Sequence, residues 1–333
     1  SLLGASLALG VAELARHVER PLLIRAEDAR HADQLEAEIR FFGGDDLPVE
    51  HFVEWETLPW DTFSPHQDII SQRLRVLAAL PGMRHGIVIA APTALQQRLP
   101  PVSYVAAHSL SVQQGAEVDR DEFVDSLVNA GYLRVPQASE HGEFAVRGSL
   151  IDVFPMGAET PVRIDFFDDE VESLRWYSPE NQISGERIER IDVLPAREIP
   201  LDKEAIRGFR DRYRERFEGQ PSKSRVYREV SDGIAHGGIE YYLPLFFDDT
   251  ATLPDYLPAD CAVIAPSGIA TLLDGFESEA RERFELCSLD RERPILSVDE
   301  TFVSSDAACG RLADFSQLRY ACLLYTSPSP RDC

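Results

Sequence analysis

The chain has 333 residues, of which 57 are acidic and 33 basic, giving a formal net charge of −24. That balance repels phosphate backbones on average, so non-specific nucleic-acid binding is excluded outside a local basic patch. The length predicts two or three domains, and 44% hydrophobic with 27% charged residues is the composition of a soluble globular protein.

Lysine occurs only at Lys203 and Lys223, which removes lysine-dependent chemistry from most of the chain. The cysteines, Cys261, Cys287, Cys309, Cys322 and Cys333, are odd in number and form no C-x-x-C pair. Free thiols in a reducing cytoplasm fit this pattern better than disulfides or zinc. The opening SLLGASLALGV has no basic residues before it and meets a charge at Glu13, so it reads as the first helix of a fragment rather than a signal peptide. No run approaches the roughly 18 apolar residues of a membrane helix.

In chain order, a helix over 7–18 precedes a short buried strand, PLLIRA. A second helix spans 29–41, with Ala32, Leu35, Ile39 and Phe42 at helical spacing. A strand at HFVEW, a helix over 67–80 and a strand at GIVIAA follow. Strands alternating with helices predict a mostly parallel sheet covered by helices. The pattern changes near His108. A helix starts at Asp119, with Glu122 as a capping-box signal, and ends near Gly131. Strands are then predicted over about 143–154, 161–167, 170–177 and 187–194, joined by connections short enough for antiparallel hairpins. After LPAREIP the chain is helical, with Ile206, Phe209, Tyr213 and Phe217 on one stripe and arginines on a solvated face. GIEYYLPLFF and CAVIAP resume the buried α/β pattern. The ending CLLYTSPSPRDC has no periodicity and reads as translated vector or adapter sequence.

The expected fold is therefore an α/β parallel-sheet domain split around a small inserted α+β antiparallel domain. Its segments are 1–107, 108–194 (the insert) and 195–315, with a non-native tail at 316–333.

Catalytic constellations are scarce. The P-loop candidate GASLALG has five residues between Gly4 and Gly10 instead of four. Val11 and Ala12 stand where Lys and Ser or Thr are needed, and neither lysine follows a glycine. With no Asp-Glu-x-His box, no ATP hydrolysis is expected. The acids Asp165, Asp168, Asp169 and Glu170 raise a magnesium-dependent nuclease, but the last three read as a solvated hairpin tip. There is no G-x-S-x-G elbow. His66 reads as a loop or helix-cap residue, and His141 and Glu143 stand isolated.

One anomaly remains. In VRIDFF the alternation of a strand puts Val162, Ile164 and Phe166 on one face, and Arg163, Asp165 and Phe167 on the other. On the preceding strand Arg147 lies opposite Phe144, Val146 and Leu150. If the strands are neighbours, Arg147, Arg163 and Phe167 share an outward surface with the composition of a protein–protein hot spot. The competing expectation turns Phe167 inward at a bulge or under the inserted helix.

EWETLPWDTFSPHQDIISQRL, EHGEFAVRGSLIDVFPMG, RIDFFDDEVESLR and GIEYYLPLFF closely resemble the N-terminal, UvrB-like region of Mfd, the bacterial transcription-repair coupling factor family, over about residues 2–300. The resemblance implies a split α/β domain with a degenerate P-loop, related to a helicase, around an inserted domain that docks UvrA. It carries the docking role to Arg147, Arg163 and Phe167. This chain has Ala145 where UvrB-like relatives often carry a further arginine. The resemblance also implies a non-catalytic adaptor needing no cofactor of its own. ATP and magnesium, RNA polymerase and DNA would belong to family domains further along the chain, and contacts with those domains would hide the docking surface. The alternatives are a UvrB-type damage-binding helicase, against which the missing Gly-Lys pair speaks, and the nuclease on Asp165, Asp168 and Asp169.

Overall fold

The computed structural model of the protein describes residues 5–320 except 267 and 291. The first part runs α1 (Ser6–His17), β1 (Pro21–Arg25), α2 (Ala29–Gly43), β2 (Val49–Phe52), α3 (Gln67–Ala79), β3 (Gly86–Ala90), α4 (Pro92–Gln96) and α5 (Val102–Ala107). Caps fix several helix starts: the Asp28 carboxylate accepts from the His31 amide at 2.7 Å ahead of α2, and the His66 ring accepts from the Asp68 amide ahead of α3. Of the P-loop candidate, residues 6–10 lie within α1, and Gly4 lies outside the described residues.

The middle part runs β4 (Leu110–Gln113), α6 (Arg120–Asn129), β5 (Leu133–Arg134), β6 (Glu143–Arg147), β7 (Leu150–Val153), β8 (Val162–Phe167), β9 (Glu170–Tyr177), β10 (Ser184–Ile188) and β11 (Arg190–Val193). The remainder comprises α7 (Lys203–Arg216), α8 (Arg225–Ser231), a 3₁₀ turn over Ile239–Leu245, α9 (Leu253–Tyr256), β12 (Ala262–Pro266), α10 (Ile269–Cys287), α11 (Val298–Thr301), α12 (Ser305–Ala313) and β13 (Ser316–Tyr320).

The fold is mixed α/β. One parallel sheet has the order β13-β12-β1-β3-β2, so it takes strands from both ends of the described chain. β1 and β3 are buried at every position, which is why PLLIR and GIVIA read as unbroken apolar runs. One sheet face packs Leu22, Ile24, Ile87 and Ile89 against Leu7, Val11, Leu35 and Ile39 of α1 and α2. The other face packs Leu23 and Val88 with Leu74 and Leu77 of α3. That core continues without interruption into Phe144, Ile151, Val153 and Ile164 of a six-stranded sheet, order β10-β9-β8-β7-β6-β5, antiparallel except for β5 and β6. β4 and β11 form a separate two-stranded ribbon.

A buried polar cluster joins α3 to the segment after β11. The Arg73 guanidinium donates to the Glu198 carboxylate, to the Val53 carbonyl at 2.7 Å and to Gln97 Oε1 at 2.8 Å. It lies over the rings of Phe52 and Trp55, and the Trp55 indole also donates to Glu198. With every polar atom paired, the ion pair is tolerated in the interior.

The structure corrects several expectations. The strand predicted over 143–154 is two strands, because Gly148, at φ +61°, turns the chain back. The strand predicted over 187–194 is also two, β10 and β11, in different sheets. β4 and β5 carry too few apolar residues to signal themselves. The strand predicted at HFVEW is centred earlier, on Val49–Phe52. β13 extends the parallel sheet past residue 315, where the fold was expected to stop; residues 321–333 of the expected tail lie outside the described residues. His141 is not isolated: its ring bonds Asp68 of α3 at 2.7 Å and the Ala158 carbonyl at 2.8 Å.

Candidate docking surface

Phe167 stands at the end of β8, paired with Glu170 of β9 across the turn residues Asp168 and Asp169. Asp168 takes φ +52°, a conformation that a short side chain able to bond its own backbone tolerates. The ladder slips between Asp165–Ser173 and Phe166–Val171, which leaves Glu172 as a bulge and increases the local twist. Backbone bonds brace the tip from one side: Val118 donates to the Asp169 carbonyl at 2.7 Å, and Val171 donates to the Ala116 carbonyl at 3.0 Å. On this frame the two adjacent phenylalanines part. Phe166 is buried near Phe123, with ring centroids 6.3 Å apart, and Phe167 is 70% exposed. The bulge does not turn Phe167 inward.

The sheet register sets which side chains share the outward face, because directly paired residues project to the same side. One row is Ala145, Asp152, Arg163, Arg175 and Arg187; the next is Arg147, Leu150, Asp165 and Ser173. Leu150 therefore lies on the face of Arg147, not opposite it, since the turn at Gly148 and Ser149 reverses the alternation. β6 and β8 are also not neighbours: β7 runs between them, separating Arg147 from Arg163.

Arg147 is exposed and partly tethered. It donates to the Pro136 carbonyl at 3.0 Å and to Gln182 Oε1 at 3.4 Å. Arg163 is more tightly held. Its fork grips the buried Asp152 carboxylate at 2.6 and 2.8 Å, and its remaining nitrogen reaches the Gln182 carbonyl and the Ser184 hydroxyl at 3.3 Å. The hydrogen bond to Asp152 raises the Arg163 pKa further above its ordinary value. One face of the guanidinium lies over Tyr177, 5.0 Å from the ring centroid, and the Tyr177 hydroxyl bonds the Ala138 carbonyl. Asp152, Arg175 and Arg187 belong to this surface and were missed by the sequence reading. The Asp–Arg pairing becomes visible only once the β7–β8 register is known.

The acids near the tip do not converge. Asp165 accepts from Ser149 at 3.1 Å, while Asp168 and Asp169 form the exposed turn. Among the described residues no group of three or more His, Cys, Asp or Glu side chains could hold a metal ion. The arrangement is an exposed aromatic at the sheet's hairpin tip, with guanidinium groups on the same outward face, a composition suited to recognition.

Residues 110–199, which contain this surface, match the model of the UvrB interaction domain. Over 319 residues, 96% of its length, the chain is 40% identical to the transcription-repair-coupling factor of Escherichia coli (strain K12). It is 37% identical over 314 residues to that of Haemophilus influenzae (strain ATCC 51907 / DSM 11121 / KW20 / Rd), and 32% identical over 279 residues to that of Myxococcus xanthus. The chain resembles the N-terminal region of these transcription-repair-coupling factors, and it spans 28%, 27% and 22% of their respective lengths.

Proposed function

We propose that this chain is the adaptor portion of a transcription-repair-coupling factor, and that its six-stranded sheet docks UvrA. The observation that carries the reading is Phe167, exposed at a braced hairpin tip within the segment that matches the UvrB interaction domain. Phe167 would fill an apolar pocket on UvrA. Arg147 would make charge-assisted bonds beside it, and Arg163, with most of its fork committed to Asp152, would contribute its remaining N–H and fix the shape of the surface. Docking of this kind recruits excision repair to a polymerase stalled at a lesion, with RNA polymerase and DNA engaged by parts of the protein outside this chain. The parallel sheet is read as a UvrB-like, helicase-derived domain whose P-loop has decayed, so this portion acts without nucleotide or metal. Among the described residues no helix is long and apolar enough to cross a membrane, and the proposed role places the protein in the cytoplasm.

The test is calorimetric titration of the chain into UvrA from a matching organism. Wild type is expected to bind and Phe167→Ala to bind at least tenfold more weakly, equivalent to about 1.4 kcal/mol or more, with an unchanged circular dichroism spectrum. Equal binding by both proteins would show that the docking face lies elsewhere.

A further inference from the structure

On the outward face of the six-stranded sheet, Arg163, Arg175 and Arg187 stand directly side by side on β8, β9 and β10. Like charges paired across strands destabilise a sheet, and nothing in the fold requires an arginine at the two outer positions. Only the first of the three is neutralised, by Asp152. Arg175 makes a single long bond, 3.4 Å to the Gly185 carbonyl, and no carboxylate lies within 4 Å of either Arg175 or Arg187 among the described residues. Arg187 is exposed on the edge strand β10, and Arg147 adds a further cation on the neighbouring row. This concentration of positive charge sits on a chain whose net charge is −24.

We infer that Arg175 and Arg187 extend the docking face into a carboxylate-reading row, which seats an acidic strip of the partner beside the pocket that takes Phe167. The inference rests on the UvrA reading above and names the chemistry of the surface UvrA must present. The row crosses three strands, about 10 Å, enough to pair two or three carboxylates at charge-assisted hydrogen-bond distance. A protein carboxylate strip fits better than nucleic acid for two reasons. The chain's overall charge opposes a phosphate backbone, and the row shares its face with an exposed apolar anchor. The arginines thus give up some sheet stability for electrostatic complementarity, which contributes chiefly to orientation and association rate.

The charge reversal Arg187→Glu separates these effects, because it places a carboxylate opposite Arg175. Its melting temperature is expected to hold or rise by about 1–2 °C. Its affinity for UvrA at 50 mM salt is expected to fall at least fivefold, with a shallower salt dependence than wild type. The double variant Arg175→Glu/Arg187→Glu is expected to bind more weakly still. If both variants bind UvrA with wild-type affinity and salt dependence while Phe167→Ala weakens binding, the docking reading stands and the carboxylate row is overturned. If wild type does not bind UvrA at all, the docking reading fails, and titration with a twelve-residue polyglutamate peptide at low salt decides the row alone. Binding that the double variant abolishes supports it, and no binding overturns it. Tighter binding to a DNA duplex than to the peptide overturns it in favour of phosphate.

Discussion

Glu240 is nearly fully buried and accepts a hydrogen bond from the Ser64 hydroxyl at 2.8 Å. Burial pushes its pKa up to about 7, and the nearby Glu198 adds to the rise; the hydrogen bonds and Arg197 offset only part of it. In the unfolded chain an ordinary glutamate loses its proton near pH 4.5. The folded form therefore holds a proton that the unfolded form has released, and stability present below pH 4.5 is lost as pH rises toward 7. The loss approaches roughly 3 kcal/mol at its limit. Glu240→Gln keeps the shape and the acceptor without the charge. Urea unfolding at pH 5 and pH 8 is expected to show a smaller loss of stability on going to pH 8 in the variant than in wild type. Identical pH dependence would mean that Glu240 is solvated or differently paired. Nothing in the local sequence signals this burial, because GIEYY differs from a surface turn only through contacts with residues near position 64. Phe167 was legible for the opposite reason: alternation along a single strand places it, and the strand exists.

At the scale of elements, β7 holds the docking face in shape. The Asp152 carboxylate is buried and binds the Nε and one terminal nitrogen of the Arg163 fork. Asp152→Ala would leave Arg163 facing Arg175 with no counter-charge, and is expected to destabilise the protein by about 2–3 kcal/mol, discounted for the partial exposure of Arg163. Adding Arg163→Leu should recover most of that loss, since an apolar pair can replace a mostly buried ion pair. Denaturant midpoints of the two variants against wild type test this; a single variant within about 0.5 kcal/mol of wild type would mean the pair does not hold the sheet. The same elements mark the limits of the sequence reading. FAVRGSLIDV alternates as one strand only as far as Leu150; continued further, it would put Ile151 and Val153, both buried, on the face of Arg147. The reversal moves Leu150 onto the face of Arg147 and Asp152 beside Arg163, and it returns Ile151 and Val153 to the core face opposite Val146 and Phe144, so the adjacent pair Leu150-Ile151 was the signal of the break. Helix α6 was legible because its cap is local: Asp119 accepts from the amides of Asp121 and Glu122 at 2.9 and 2.8 Å, two and three residues away, whereas α10, which has no side-chain cap, was not read from the sequence.

At the scale of the molecule, the six-stranded sheet and the parallel sheet are distinct in hydrogen bonding but continuous in burial. Leu74 and Leu77 of α3, Leu127 of α6, and Ile151 and Ile164 of β7 and β8 belong to one apolar core. Polar ties reinforce the contact, with Arg73 of α3 bonded to Glu198 and His141 bonded to Asp68. Opening one sheet away from the other would expose part of that core and leave Arg73 and Glu198 unpaired, a cost of several kcal/mol. The two sheets are therefore expected to unfold together. Trp55 and Trp60 report the parallel-sheet side and Trp176 reports β9, so tryptophan fluorescence during thermal unfolding follows both. Wild type and Trp176→Phe should each show one transition at the same temperature, coincident with the far-ultraviolet dichroism. A second step in wild type that disappears with Trp176 would mean that the antiparallel sheet unfolds by itself. In that case the docking face would be carried on an independently opening module, whereas the shared core makes it an extension of the parallel sheet beneath it.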